Sequence, residues 1–177
     1  MKRTTEFFDL AQKILTCAAI VCAGAWAVWI FVLGGSTGWQ ANITIETQVL
    51  PYHDDLRLLV VHVTSKNPRN VTFELNSDDH DSYVLHVRKL AGDAKAGTAF
   101  GEDEGDTIKD IDLLKLIGGD YEFSPNAEMD DMQTIVVPVG TTVSLNAEMR
   151  QNNGTLDKRG KPDFDFESAS TVVHVGP

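Results

Sequence analysis

Ile14–Leu33 reads ILTCAAIVCAGAWAVWIFVL, twenty residues in which Thr16 is the only conventionally polar side chain. At about 1.5 Å rise per residue such a run makes roughly 30 Å of helix, the thickness of a bilayer hydrocarbon core. The stretch therefore predicts one N-terminal transmembrane helix at 14–33, with everything after it a tethered domain. Lys2, Arg3 and Lys13 precede the run, and no Lys or Arg follows Leu33 until Arg57. Because basic residues are retained on the cytoplasmic side, this bias predicts an N-terminus inside and a C-terminal domain outside. A cleaved signal peptide is the competing reading, since small-x-small patterns occur at Ala23-Gly24-Ala25 and Ala25-Trp26-Ala27. The apolar run continues through Trp29, Ile30, Phe31 and Leu33, beyond the length of an ordinary signal core.

Working outward, residues 1–13 form a short cytoplasmic stub, 34–41 a Gly- and Ser-rich linker, and 42–177 the extracytoplasmic domain. Trp39, just after the spacer, suits the outer interface, where indoles are favoured. Removing Lys2, Arg3 and Lys13 from the fifteen basic residues, and Glu6 and Asp9 from the twenty-six acidic ones, leaves twelve against twenty-four. A domain of about −12 repels phosphate backbones and anionic headgroups, so no nucleic-acid partner is expected. Both cysteines, Cys17 and Cys22, lie in the apolar run, so the outer domain contains no disulfide and relies on packing. Sequons at Asn42, Asn70 and Asn153 are read as chance, and the compartment as the cytoplasmic membrane of a bacterium with the domain in the periplasm or outside.

Beyond Trp39 the apolar residues recur with period two, in segments bounded by Gly, Pro, Asn and Asp. This predicts strands near 43–49, 56–65, 71–75, 83–90, 133–139, 142–150 and 166–175. Seven short strands in one domain predict an all-β, immunoglobulin-like two-sheet sandwich, a statement of architecture alone. Between 92 and 128 the pattern breaks into a long acidic insertion, predicted as a solvated loop followed by a short helix built on Ile111, Leu113, Leu114 and Ile117.

Candidate chemistry is sparse. His62, His86 and His174 each sit mid-strand between apolar neighbours, so side-chain alternation sends the neighbours inward and each imidazole outward. If their strands were adjacent, they would offer nitrogen ligands to Zn or Cu. Met129 and Met132 form a Met-x-x-Met pair whose thioethers suit Cu(I). Carboxylates at Asp78, Asp79 and Asp81, and at Glu102, Asp103, Glu104, Asp106, Asp110 and Asp112, are possible Ca²⁺ ligands, although neither run follows the EF-hand spacing. There is no G-x-S-x-G, H-E-x-x-H, phosphate loop or cysteine outside the apolar run, so neither catalysis nor a cofactor is predicted. Ala19, Ala23 and Ala27 recur every four residues, a stripe that would let helices approach closely in lipid and self-associate.

The sequence thus predicts a non-enzymatic, single-pass binding or assembly module, an accessory subunit of a bacterial envelope complex recognised through strand edges or loops. The alternative is an extracytoplasmic protein that binds Cu, Zn or Ca.

Overall fold

The computed structural model describes residues 2–29, 39–101 and 104–176. The chain divides into two compact units, 1–39 and 40–177. In the first, helix α1 spans Lys2–Val28. Its residues 12–28 are all exposed, Leu15 at 75% and Val21 at 70% among them. No helix among the described residues is long and apolar enough to cross a membrane. The reason is the length of the described apolar part: from Ile14 to Trp29 it makes roughly 24 Å of helix, short of a bilayer core. Ile30–Leu33, the end of the predicted span, and Gly34–Gly38 of the predicted linker lie outside the described residues.

The second unit is mostly β and its sheets are antiparallel, with nine strands among the described residues rather than seven. They are β1 (Asn42–His53), β2 (Leu56–Lys66), β3 (Phe73–Asn76), β4 (Ser82–Lys89), β5 (Asp106–Asp112), β6 (Asp120–Phe123), β7 (Glu128–Pro138), β8 (Thr142–Leu156) and β9 (Pro162–His174). One sheet has the order β1-β2-β7, a second the order β5-β4-β8-β9, and β3 pairs with β6 in a short ribbon. Part of the acidic insertion expected as a loop thus forms regular structure. Its stretch Asp106–Asp112 is the edge strand β5 on β4, and Asp120–Phe123 is β6. Between them a single turn of helix, α2 (Leu113–Leu116), is capped by Asp112, whose Oδ1 accepts the Lys115 amide at 3.0 Å. This turn buries Leu113 and Leu114, whereas Ile111, expected in the same helix, lies in β5.

The core lies where the inner faces of the two larger sheets are closed off from water. Leu59, Val61, Val63 and Val137 line the three-stranded side. Tyr83, Leu85, Val87, Val143, Leu145, Ala147 and Met149 line the four-stranded side. Phe73 and Phe123, cross-strand partners in the ribbon, stack with ring centroids 4.7 Å apart. Where segment 91–105 enters β5, Gly105 has φ 111°, and a Cβ there would sit 2.6 Å from the Lys89 carbonyl oxygen, so only glycine fits.

Two polar clasps hold the strands in place. β2 and β7 run on into β3 and β6 across a break at 67–72 and 124–127. Asn67, fully buried, bridges that break. Its Nδ2 donates to the carbonyls of Val71 (2.9 Å), Phe123 (2.9 Å) and Ser124 (3.2 Å), and its Oδ1 accepts the Arg69 amide. Its own amide donates to Ala127 O. Asp81 does similar work, accepting the Asn76 amide on Oδ2 at 2.9 Å and the Asn152 amide on Oδ1 at 2.7 Å, which ties β3 to β8.

A third polar group is less comfortable. Tyr83 Oη, Ser65 Oγ and Asp131 Oδ2 are buried without a hydrogen-bond partner among the described residues. The Ser65 hydroxyl is close enough to favour the phenolate, yet the pair falls short of hydrogen-bond geometry. Burial above all, with the Asp131 and Asp130 charges adding to it, holds the Tyr83 phenol above its ordinary value. Burial, and then repulsion from Asp130, also raises the Asp131 carboxyl.

Two outcomes follow for stability. Replacing Asn67 with Ala strands several buried backbone groups and is expected to cost about 3 kcal/mol, read from the midpoint of chemical denaturation. Because folding raises the Asp131 carboxyl above its ordinary value of 3.8, ionisation destabilises the fold above that value, and the penalty fades as the pH falls through the raised value towards 3.8. Asp131→Asn is therefore expected to be more stable than the parent at neutral pH and to lack its gain on mild acidification, measured by thermal melting across that range.

Candidate functional site

The outer face of the four-stranded sheet carries an uninterrupted polar row. Cross-strand register places Asp110 beside His86, His86 beside Asn146, and Asn146 beside Ser170. Alternation along each strand explains the row, because the flanking Leu85, Val87, Leu145 and Ala147 all turn into the core. His86 Nδ1 donates to Asp110 Oδ1 at 2.7 Å, which fixes the imidazole tautomer and leaves Nε2 as the acceptor. Next to it, Asn146 is only 3% exposed, and its Oδ1 is buried with no partner among the described residues. A buried amide oxygen left without a donor is costly.

Segment 90–101 runs beside this face. Leu90, Phe100 and Gly101 meet Ser144, Ser170, Thr171 and Val172 around a cavity of about 460 Å³. The combination is an aromatic and aliphatic wall facing hydroxyls, with Ser170 shared between cavity and row. It suits a small polar group or a partner side chain that carries hydrogen-bond donors. His86 and Ser170 stand two strands apart, about 9.6 Å at the usual strand spacing, beyond the reach of a base that takes a hydroxyl proton.

A second cavity, of about 560 Å³, is lined by Glu74, Asn76, Asp79, Asp81, Gln151, Asn152 and Gly154. Its polar groups are largely committed to the backbone. Asn152 Nδ2 donates to Asp79 O and Gln151 Nε2 to Glu74 O, while Asp81 forms the clasp described above. Asp78 and Asp79 belong to a single 3-10 turn capped by Asn76. In the other acidic run, Asp112 caps α2 and Glu104 accepts the Gly101 amide at 2.9 Å, while Glu102 and Asp103 lie outside the described residues. Among the described residues no group of three or more His, Cys, Asp or Glu is placed to hold a metal ion.

The histidines predicted as ligands do not converge. His62 is on the three-stranded sheet, whereas His86 and His174 are on the other. His174 shares the outer face with His86 but sits level with Thr142, whose Oγ1 lies 3.1 Å from its Nδ1. That is four residues along the sheet from Asn146, or about 13 Å. Met129 and Met132, three apart on β7, point to opposite faces: Met129 inward opposite buried Ser65, and Met132 outward opposite His62. Ala19, Ala23 and Ala27 lie in α1, all exposed. The Asp110–His86 pair, Asn146 and Phe100 escape sequence reading, because an outward Asn in a strand looks like ordinary solvated polarity. Phe100, alone in a Gly- and Ala-rich segment, was the available signal.

No family model matches the chain, and no curated relative does. Among solved structures it is similar to the chain designated ApaA from Bordetella pertussis, with a TM-score of 0.48, 10% identity, and coverage of 77% of this chain and 94% of that one. It is also similar to a protein from Archaeoglobus fulgidus, with a TM-score of 0.34, 6% identity, and coverage of 75% and 98%.

If the Asn146 acceptor is unmet in the free protein, Asn146→Leu leaves stability unchanged or raises it by up to about 1 kcal/mol in thermal denaturation. A loss above about 2 kcal/mol would instead show that the amide is satisfied in place.

Proposed function

We propose that this chain is a non-enzymatic, membrane-anchored binding or assembly module, an accessory subunit of a bacterial envelope complex. Its β unit is read as an immunoglobulin-like sandwich on the outer side of the cytoplasmic membrane. The proposal rests on α1. A helix whose described apolar side chains are all exposed, including Ile14, Ile20, Trp26 and Trp29, is not stable in water and needs lipid or protein around it. Ile30–Leu33 extend the apolar sequence to the twenty residues that a span requires. The basic residues before it set the direction of insertion.

Recognition is assigned to the outer face of the four-stranded sheet, where the unmet Asn146 acceptor and the Phe100 cavity lie side by side. The separation of His86 from Ser170 supports binding rather than turnover. The strong negative charge of the outer unit favours a partner that presents cationic or hydrogen-bond-donating groups.

Full-length protein in its native membrane provides the test. It is expected to stay in the pellet after alkaline carbonate extraction, with the β unit digested by protease added to spheroplasts. A photo-crosslinking residue at Ser170 is expected to yield one discrete membrane-protein adduct. Release into the soluble fraction, or protection from protease, overturns the anchored topology. An adduct ladder no different from that of a residue on the opposite face overturns the recognition surface.

A further inference from the structure

The outer face of the other sheet brings together two side chains that were candidates for separate reasons. His62 on β2 and Met132 on β7 are direct cross-strand partners. Both point outward, because their neighbours Val61, Val63 and Val137 define the inward register of the two strands. Directly opposed residues in an antiparallel pair have Cβ atoms about 5 Å apart, a separation that an imidazole and a thioether bridge comfortably through one metal ion. Met132 is 60% exposed, so its thioether is open to an incoming ion.

The imidazole is also oriented as metal-binding histidines are. Asp130, two residues before Met132 on the same face of β7, accepts from His62 Nδ1 at 2.9 Å. A carboxylate on Nδ1 fixes the proton there, turns the Nε2 lone pair outward and makes it a stronger donor. Glu46 on β1 flanks His62 from the other side and adds negative charge. The donor set is therefore one imidazole nitrogen and one thioether sulfur, with carboxylates around them. Thioether sulfur selects soft, low-charge metals, and Cu(I) accepts a low coordination number with a further position left open.

We infer that His62 Nε2 and Met132 Sδ form an exposed Cu(I) site, with Asp130 positioning the imidazole. The site lies on a different sheet from the recognition face and does not depend on it.

The test uses full-length protein in detergent, with Cys17 and Cys22 both replaced by Ser because free thiols also take Cu(I). Cu(I) is presented as its bicinchoninate complex, and transfer to the protein is followed by loss of the probe's colour. One equivalent is expected to transfer. Met132→Leu and His62→Asn, both conservative changes at exposed positions, are expected to abolish transfer, while Met129→Leu on the inward face retains it. Asp130→Asn is expected to weaken binding by about tenfold while keeping the stoichiometry, the mark of a positioning residue. Absence of transfer overturns the site. So does transfer that is indifferent to Met132 and His62, or that follows Met129 instead.

Discussion

The whole β unit hangs on the side chain of Asn67. Two strands that could have run straight through, β2 and its partner β7, instead break and continue as β3 and β6. The break leaves backbone carbonyls and amides that no ladder can satisfy. One buried amide group answers them on both strands at once, reaching Phe123 and Ser124 across the ribbon and Val71 along its own strand. Buried backbone polar groups must find partners, so a side chain of this shape at the break is the condition for the bend. The bend carries Phe73 and Phe123 into stacking contact and brings the Asn76–Asp81 turn to the end of β8, where the Asp81 clasp closes the second joint.

With the two sheets fixed in this way, polar side chains divide into those that hold the fold and those left over. Asn67, Asp81, Asn76 and Asp112 are absorbed by backbone groups, so that from the acidic runs that suggest calcium Asp81 serves as a clasp and Asp112 as a cap. His86 with Asp110, and His62 with Asp130, are paired through one ring nitrogen only. On one outer face this leaves an acceptor row beside a cavity, and on the other an imidazole facing a thioether.

Much of the fold was legible because alternation is a strong signal where one face is buried. The Leu56–Ser65 and Tyr83–Leu90 stretches emerge within a residue of β2 and β4, and the outward placement of His62 and His86 follows from the burial of Val61, Val63, Leu85 and Val87. β5 was hidden because an edge strand exposed over most of its length shows no apolar period: Asp106–Asp112 offers only Ile108 and Ile111, three apart, among charges. β6, four residues after a Gly pair, is too short to show any period. The start of β7 was also missed, because Asp130 and Asp131 interrupt the pattern before Gln133. What alternation cannot give is which strands are neighbours. The opposition of His62 and Met132, and the row from Asp110 to Ser170, are facts of register, and register is set by the bend and the turns rather than by any one strand.

The inward carboxylate at Asp131 bears on how the molecule behaves in a crowd. β7 closes one side of its sheet, and its outer edge offers a ladder of amides and carbonyls to any strand that drifts past. A newcomer extending the sheet there would press further on a charge already short of solvent and hydrogen bonds. The discomfort built into this corner therefore works against one more strand joining the sheet at β7.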